Sequence, residues 1–216
     1  MMSRYSDLLF DLDGTLTDSA PGIINCAKHA LSQMGLPQPE NMMCFVGPPL
    51  YVSFPRFCGL DQAQTQQAIK IYRERYATIG LFENGVFPGI PEMLVRLKNA
   101  GKRLLVATSK PEKFARQIMD RYELSQFFEI IGGAALDGSR DDKNDVIEYV
   151  LAQAGITDRS HVIMIGDREQ DVLGAEKCKI PCMGVLWGYG DREELSGAQI
   201  IAETPSEAAD ILLGKE

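Results

Sequence analysis

No apolar run in this chain approaches the length of a membrane span; the most continuous stretches, residues 104–107 and 162–165, are the size of buried strands. Cysteine is sparse and poorly spaced. Cys26, Cys44, Cys58, Cys178 and Cys182 form no CxxC pair, are odd in number and follow no secretory leader pattern. A disulfide framework and a zinc cluster are therefore not expected, and reduced thiols in the cytoplasm are. Basic charge is also short, with 22 Lys and Arg against 30 Asp and Glu, a net charge of -8 and a pI near 4.9. That balance argues against a nucleic acid polymer or an anionic membrane as partner, because both attract basic surfaces. There is no GxxxxGK[ST] loop, and Gly184, Gly188 and Gly190 do not fit GxGxxG. Internal repeats and low-complexity segments are absent as well.

What is present is an alternation. Short apolar runs recur at 8–10, 104–107, 127–131, 162–165 and 183–186, with Ile200 and Ile201 as an edge, and helical patterns separate them. Val146, Ile147, Val150, Leu151 and Ala154, for example, share one helical face. Strands alternating with helices predict an α/β fold, a Rossmann-like three-layer arrangement with a parallel sheet covered on both faces. Pro111, Gly101, Gly155 and Pro205 mark helix boundaries. Residues 17–87 break the rhythm, with helical patterns near 23–34 and 63–79 and no convincing strand. The expected organisation is a core of 1–16 and 88–216 with a small helical cap domain, 17–87, inserted as a lid.

Acidic residues sit where apolar runs end. Asp11 and Asp13 follow Leu8-Leu9-Phe10, and Asp167 and Asp171 follow Ile163-Met164-Ile165-Gly166. Ligands of open parallel sheets bind outside the carboxyl ends of the strands, so these four carboxylates are expected in one crevice. There they repel each other unless a hard dication joins them, which makes Mg²⁺ the expected metal. Asp11 and Asp13, two apart in extended backbone, suit a nucleophile and its proton shuttle, although Asp-x-Asp-Gly is also ordinary turn sequence. Gly14 and Thr15 continue that turn with amides suited to phosphate oxygens.

Thr108 and Ser109 end the run 104–107 just before a helix, as phosphate-oxygen ligands or as plain N-caps. Lys143 opens the helix that carries Val146, where the helix dipole disfavours a cation; it is either a solvated lysine or one held by the carboxylates. Lys110, Lys113 and Arg140 are weaker candidates for that task. Asp167, at a strand terminus, is the better direct metal ligand, whereas Asp171 acts through water or orients Lys143.

In their order, Asp11-Leu12-Asp13-Gly14-Thr15, Thr108-Ser109-Lys110-Pro111, Lys143 and Gly166-Asp167-x-x-x-Asp171 resemble the four motifs of the haloacid dehalogenase superfamily of hydrolases. The resemblance implies Asp11 as nucleophile, Asp13 as general acid/base and backbone metal ligand, Thr108 and Lys143 as phosphate contacts and Asp167 as Mg²⁺ ligand. Within the superfamily the Asp11–Asp13 pair looks like a phosphatase rather than a dehalogenase. Residues 46–50, 137–140, 166–169 and 184–190 are similar to bacterial proteins labelled phosphoglycolate phosphatase-like or 5'-nucleotidase. The implied substrate is a small phosphorylated metabolite, a nucleoside 5'-monophosphate or 2-phosphoglycolate. In the cap, Gly47 and its neighbours, Arg56, Tyr72, Arg73 and Tyr76 either contact the leaving group or are packing and surface. Phosphoryl transfer to a sugar, as in β-phosphoglucomutase, and a phospho-aspartate receiver are the alternatives. The sequence leaves the choice of monomer or homodimer open.

Overall fold

The computed structural model describes residues 5–215, so residues 1–4 and 216 of the expected core lie outside it. The elements in chain order are β1 (Asp7–Phe10), β2 (Thr17–Asp18), α1 (Ala20–Gln33), α2 (Leu50–Cys58), α3 (Gln62–Thr78), β3 (Gly85–Val86), α4 (Ile90–Asn99), β4 (Arg103–Pro111), α5 (Glu112–Arg121), β5 (Ile130–Ala134), α6 (Lys143–Gln153), β6 (Val162–Gly166), α7 (Glu169–Lys177), β7 (Cys182–Val185), β8 (Ile200–Ala202) and α8 (Pro205–Leu213). The chain divides into two compact units, one from the residues up to Thr17 with those from Val86 onward, the other Asp18–Gly85.

The first unit is built on a six-stranded sheet, order β5-β4-β1-β6-β7-β8, in which every neighbouring pair is parallel. This is the α/β architecture that the strand–helix alternation predicts. β1 and β6 are buried along their whole length, as strands covered on both faces must be. The strands added after β1 run outward through β4 to β5, and those from β6 onward run the other way. That reversal beside β1 is the switch point at which α/β sheets open a crevice. The register sets its floor: Phe10, the last residue of β1, lies opposite Val106 of β4 and Ile165 of β6, so β1 and β6 end within a residue of each other while β4 continues to Pro111.

Leu9, Leu105, Val162 and Met164 pack with Val146, Ile147, Val150 and Leu151 of α6 in a continuous apolar layer. One strand differs from its expectation. Residues Ser125–Phe127 form a 3₁₀ turn, and β5 starts at Ile130 and runs through Gly132 and Gly133. A side chain at Gly132 would meet Val150 Cγ2 at 2.3 Å, so α6 seats against bare backbone there and the apolar run stops at Ile131, short of the strand's end.

The helical unit holds α1, α2, α3 and a 3₁₀ turn, Met42–Phe45. Its core gathers Leu31, Phe45, Phe54, Ala68 and Tyr72, with the Phe45 and Phe54 rings 5.0 Å apart edge to face. α2 goes beyond the two expected helices, because Pro48, Pro49 and Pro55 read as breakers; Pro49 precedes the helix and Pro55 is accommodated inside it. Asp61 and Gln64 close a capping box at the start of α3.

Truncating Leu105, fully buried in the apolar layer, tests this assignment. Leu105→Ala should lower the unfolding free energy by about 2–5 kcal/mol, while Leu136→Ala at an exposed position should change it by less than about 0.5 kcal/mol, both read from urea unfolding by circular dichroism.

Candidate active site

β1 delivers Asp11 to the crevice, where its backbone N–H donates to Ile165 O at 2.9 Å and extends the sheet by one residue. The chain then folds tightly back. Leu16 N–H and Thr17 N–H both donate to Leu12 O at 2.9 Å, Thr15 N–H donates to it at 3.3 Å, and Gly14 N–H donates to Thr17 O at 2.8 Å. The amides of Gly14 and Thr15, which the sequence offers to phosphate oxygens, are both hydrogen-bonded inside the turn. For Leu12 N–H and Asp13 N–H there is no backbone acceptor among the described residues. Gly14 takes φ +86°, and a Cβ there would stand 2.1 Å from Asp167 Oδ2, so the turn tolerates glycine alone.

Lys143 is the hub of the charges. It is the first residue of α6, and its side chain is 5% exposed, with Nζ 2.8 Å from Asp11 Oδ1 and 2.6 Å from Asp171 Oδ1. The approach to Asp11 is an ion pair. Burial works to depress the ammonium, yet the two carboxylates overcome it and hold the Lys143 pKa above its ordinary value. Asp171 sits inside the first turn of α7, its Oδ2 accepting from Arg168 N–H at 3.0 Å. Burial pushes Asp171 up to about 6, with Lys143 pulling the other way. Both Asp171 oxygens are thus engaged, and its geometry is that of a group that orients Lys143.

Asp167 follows β6 and is completely buried. Thr15 Oγ1 donates to its Oδ1 at 3.0 Å, and Tyr189 N–H donates to its Oδ2 at 2.9 Å. The Trp187–Gly190 segment wraps it closely: Trp187 Nε1 donates to Thr15 O at 2.9 Å, and a Cβ on Gly188 would meet Gly14 O at 2.2 Å. Asp167 makes no ion pair with a cation among the described residues. Burial, with Asp171 and Asp11 nearby, raises its pKa to about 8. Asp11, Asp167 and Asp171 each offer an oxygen within 4.8 Å of the others. A buried carboxylate without a cation, in a set of hard oxygen donors, fits a hard dication such as Mg²⁺.

The remaining expected residues divide. Thr108 is buried at the end of β4, its Oγ1 accepting from Lys110 N–H at 3.2 Å, while Ser109 is exposed. Asp13 Oδ2 pairs with Lys110 Nζ, and Asp13 Oδ1 is buried with no hydrogen-bond partner among the described residues. Lys110 thus enters the site, whereas Lys113 is exposed and Arg140 is bound to Gly133 O and Glu112 and stacked on Tyr149. Gly47, at φ +105°, and the exposed Arg56 and Arg73 belong to the helical unit; Tyr72 is buried there against Tyr76. Sequence reasoning gave Trp187 and Tyr189 no part beside Asp167; the signal was the Gly188-Tyr189-Gly190 run directly after a strand.

Fold and site together define an α/β enzyme with a carboxylate–lysine centre at a topological switch point. A family model for Haloacid dehalogenase-like hydrolase matches residues 8–185, and the chain belongs to that family. It is 43% identical over 198 residues to 5'-nucleotidase of Pseudomonas aeruginosa, covering 91% of this chain and 89% of the relative. To Tyrosine-protein kinase PtkA of Mycobacterium tuberculosis it is 45% identical over 186 residues, 85% of this chain and 62% of the kinase's length. To Phosphoglycolate phosphatase of Pseudomonas putida it is 30% identical over 215 residues, covering 95% and 76%. The solved structure of a predicted phosphatase from Clostridium acetobutylicum matches with a TM-score of 0.87 at 42% identity, over 97% of this chain and 99% of that one.

The raised carboxyl groups predict how stability responds to pH. In metal-free protein the folded state keeps protons on Asp167 and Asp171 that the unfolded chain loses near the ordinary aspartate value of 3.8. Their contribution to stability is therefore fully present below that value and is lost as pH rises through about 6 and about 8. Metal-free melting temperature should fall between about pH 5.5 and about pH 8.5, and Mg²⁺ should stabilise more at the higher pH, both read by differential scanning calorimetry.

Proposed function

We propose that the chain is a Mg²⁺-dependent phosphomonoesterase that hydrolyses a small phosphorylated metabolite through an aspartyl-phosphate on Asp11. The observation that carries this reading is the buried Lys143, paired with Asp11 and Asp171 beside the cation-free Asp167. A nucleoside 5'-monophosphate is the leading substrate and 2-phosphoglycolate the second, in keeping with the relatives of those names.

In this reading an Asp11 carboxylate oxygen attacks phosphorus, the bond from phosphorus to the leaving oxygen breaks, and a proton passes from Asp13 to that oxygen. Water then attacks the aspartyl-phosphate, Asp13 takes the water's proton, and phosphate leaves as the Asp11 carboxylate is restored. Lys143 neutralises charge on the transferring group and offsets its repulsion by Asp11. Thr108 Oγ1 and the amides of Leu12 and Asp13 serve as donors to the phosphoryl oxygens; Ser109, exposed, is left as a rim contact. Mg²⁺ would be held by the side chains of Asp11 and Asp167 and the main-chain oxygen of Asp13, and bound there it supplies positive charge against the phosphoryl oxygens. The helical unit Asp18–Gly85, which carries Gly47, is the inserted cap of this reading. Five free cysteines accord with the reducing cytoplasm as its location.

Transfer to another acceptor is the second reading, favoured by the kinase name of a relative that shares 45% of aligned residues. Purified protein with Mg²⁺, assayed on nucleoside 5'-monophosphates, 2-phosphoglycolate and sugar phosphates, should release inorganic phosphate. Asp11→Asn should reduce that rate by more than about 1000-fold. Isomerised sugar phosphate, or phosphotyrosine formed from ATP without phosphate release, would replace hydrolysis with transfer.

A further inference from the structure

Lys110 is a buried lysine for which the reaction above has no task. Its side chain is 6% exposed, unusual for a residue that loses much rotamer freedom and a hydration shell on burial. The backbone that carries it is built for the purpose. The register of β4 against β5 shifts between Thr108 and Pro111, where Thr108 Oγ1 accepts from Lys110 N–H. β5 makes room for that irregularity with glycine: a Cβ on Gly133 would stand 2.4 Å from Lys110 O. Such a bulge re-aims a side chain at the end of a strand. It sends the ammonium to Asp13 Oδ2 and leaves Asp13 Oδ1 buried without a hydrogen-bond partner among the described residues.

We propose that Lys110 is a positioning residue for Asp13: by gripping Oδ2 it fixes the rotamer of the carboxyl group and leaves Oδ1 as the oxygen that exchanges a proton with the leaving group and with water. The inference rests on the reading of Asp13 as the acid/base. Lys110 touches no phosphoryl oxygen in this account. Its contribution appears only where the leaving oxygen needs a proton, because a group that departs as a stable anion needs none. The ion pair also completes a charge pattern, in which two buried lysines face four carboxylates and the remainder matches one dication.

The test compares kcat/KM, which is blind to the later hydrolysis of the aspartyl-phosphate, for two substrates in Mg²⁺. Phenyl phosphate requires protonation of its leaving oxygen, and 2,4-dinitrophenyl phosphate does not. Lys110→Met should lower kcat/KM for phenyl phosphate by about 30- to 100-fold and for the dinitrophenyl ester by less than about threefold. Lys110→Arg, which keeps a cation in reach, should recover most of the loss. If the Met variant does not fold by circular dichroism, Lys110→Gln supplies the same comparison. Equal losses on both substrates would make Lys110 a phosphoryl ligand or a merely structural residue and overturn the proposal, as would no loss on either. Asp13→Asn, run in parallel, separates the two levels: selective loss there without selective loss at Lys110 sinks this inference alone, and no selective loss at Asp13 sinks both.

Discussion

The contact on which the site depends is the buried ammonium of Lys143 between Asp11 and Asp171. A lysine out of water is costly, and so is each carboxylate; together at 2.8 Å and 2.6 Å their attraction offsets part of that cost and keeps the ammonium charged. The surrounding architecture answers to that arrangement. α6 must begin where it does to present Lys143, and Gly174 on α7 must lack a side chain, since a Cβ there would stand 2.7 Å from Lys143 Cγ. The strands must end level, so that Asp11 and Asp167 leave β1 and β6 into the same space.

The carboxylates are treated unequally by their surroundings, and that inequality separates their tasks. Asp171 has both oxygens occupied and serves the lysine. Among the described residues Asp167 has two neutral donors, Thr15 Oγ1 and Tyr189 N–H, and no cation. Asp13 stands apart from that cluster, tied to a different lysine, Lys110 of β4. In the proposed reaction nucleophilic attack and proton transfer therefore fall to separate side chains, Asp11 and Asp13.

Much of this was legible in the residues themselves, for physical reasons that vary along the chain. Strands covered on both faces are uninterrupted apolar runs, so β1 and β6 announce themselves, and the acidic residues immediately after them mark the strand ends. The bounds of β5 were obscured because its glycines answer to the packing of α6, and α2 because its prolines suggest a loop. Lys110 and the Trp187–Gly190 segment were harder for a different reason. A lysine's partner lies 97 residues away in the chain, and an indole's acceptor is a main-chain oxygen 172 residues away, neither of which leaves a trace in local pattern.

That indole has a practical side. Trp187 is the chain's single tryptophan, and its ring nitrogen is bonded to the turn that also carries Asp13. Ultraviolet emission from the whole molecule is consequently dominated by one chromophore a few atoms from the carboxylates, a built-in optical probe of whatever occupies them, with no label to attach.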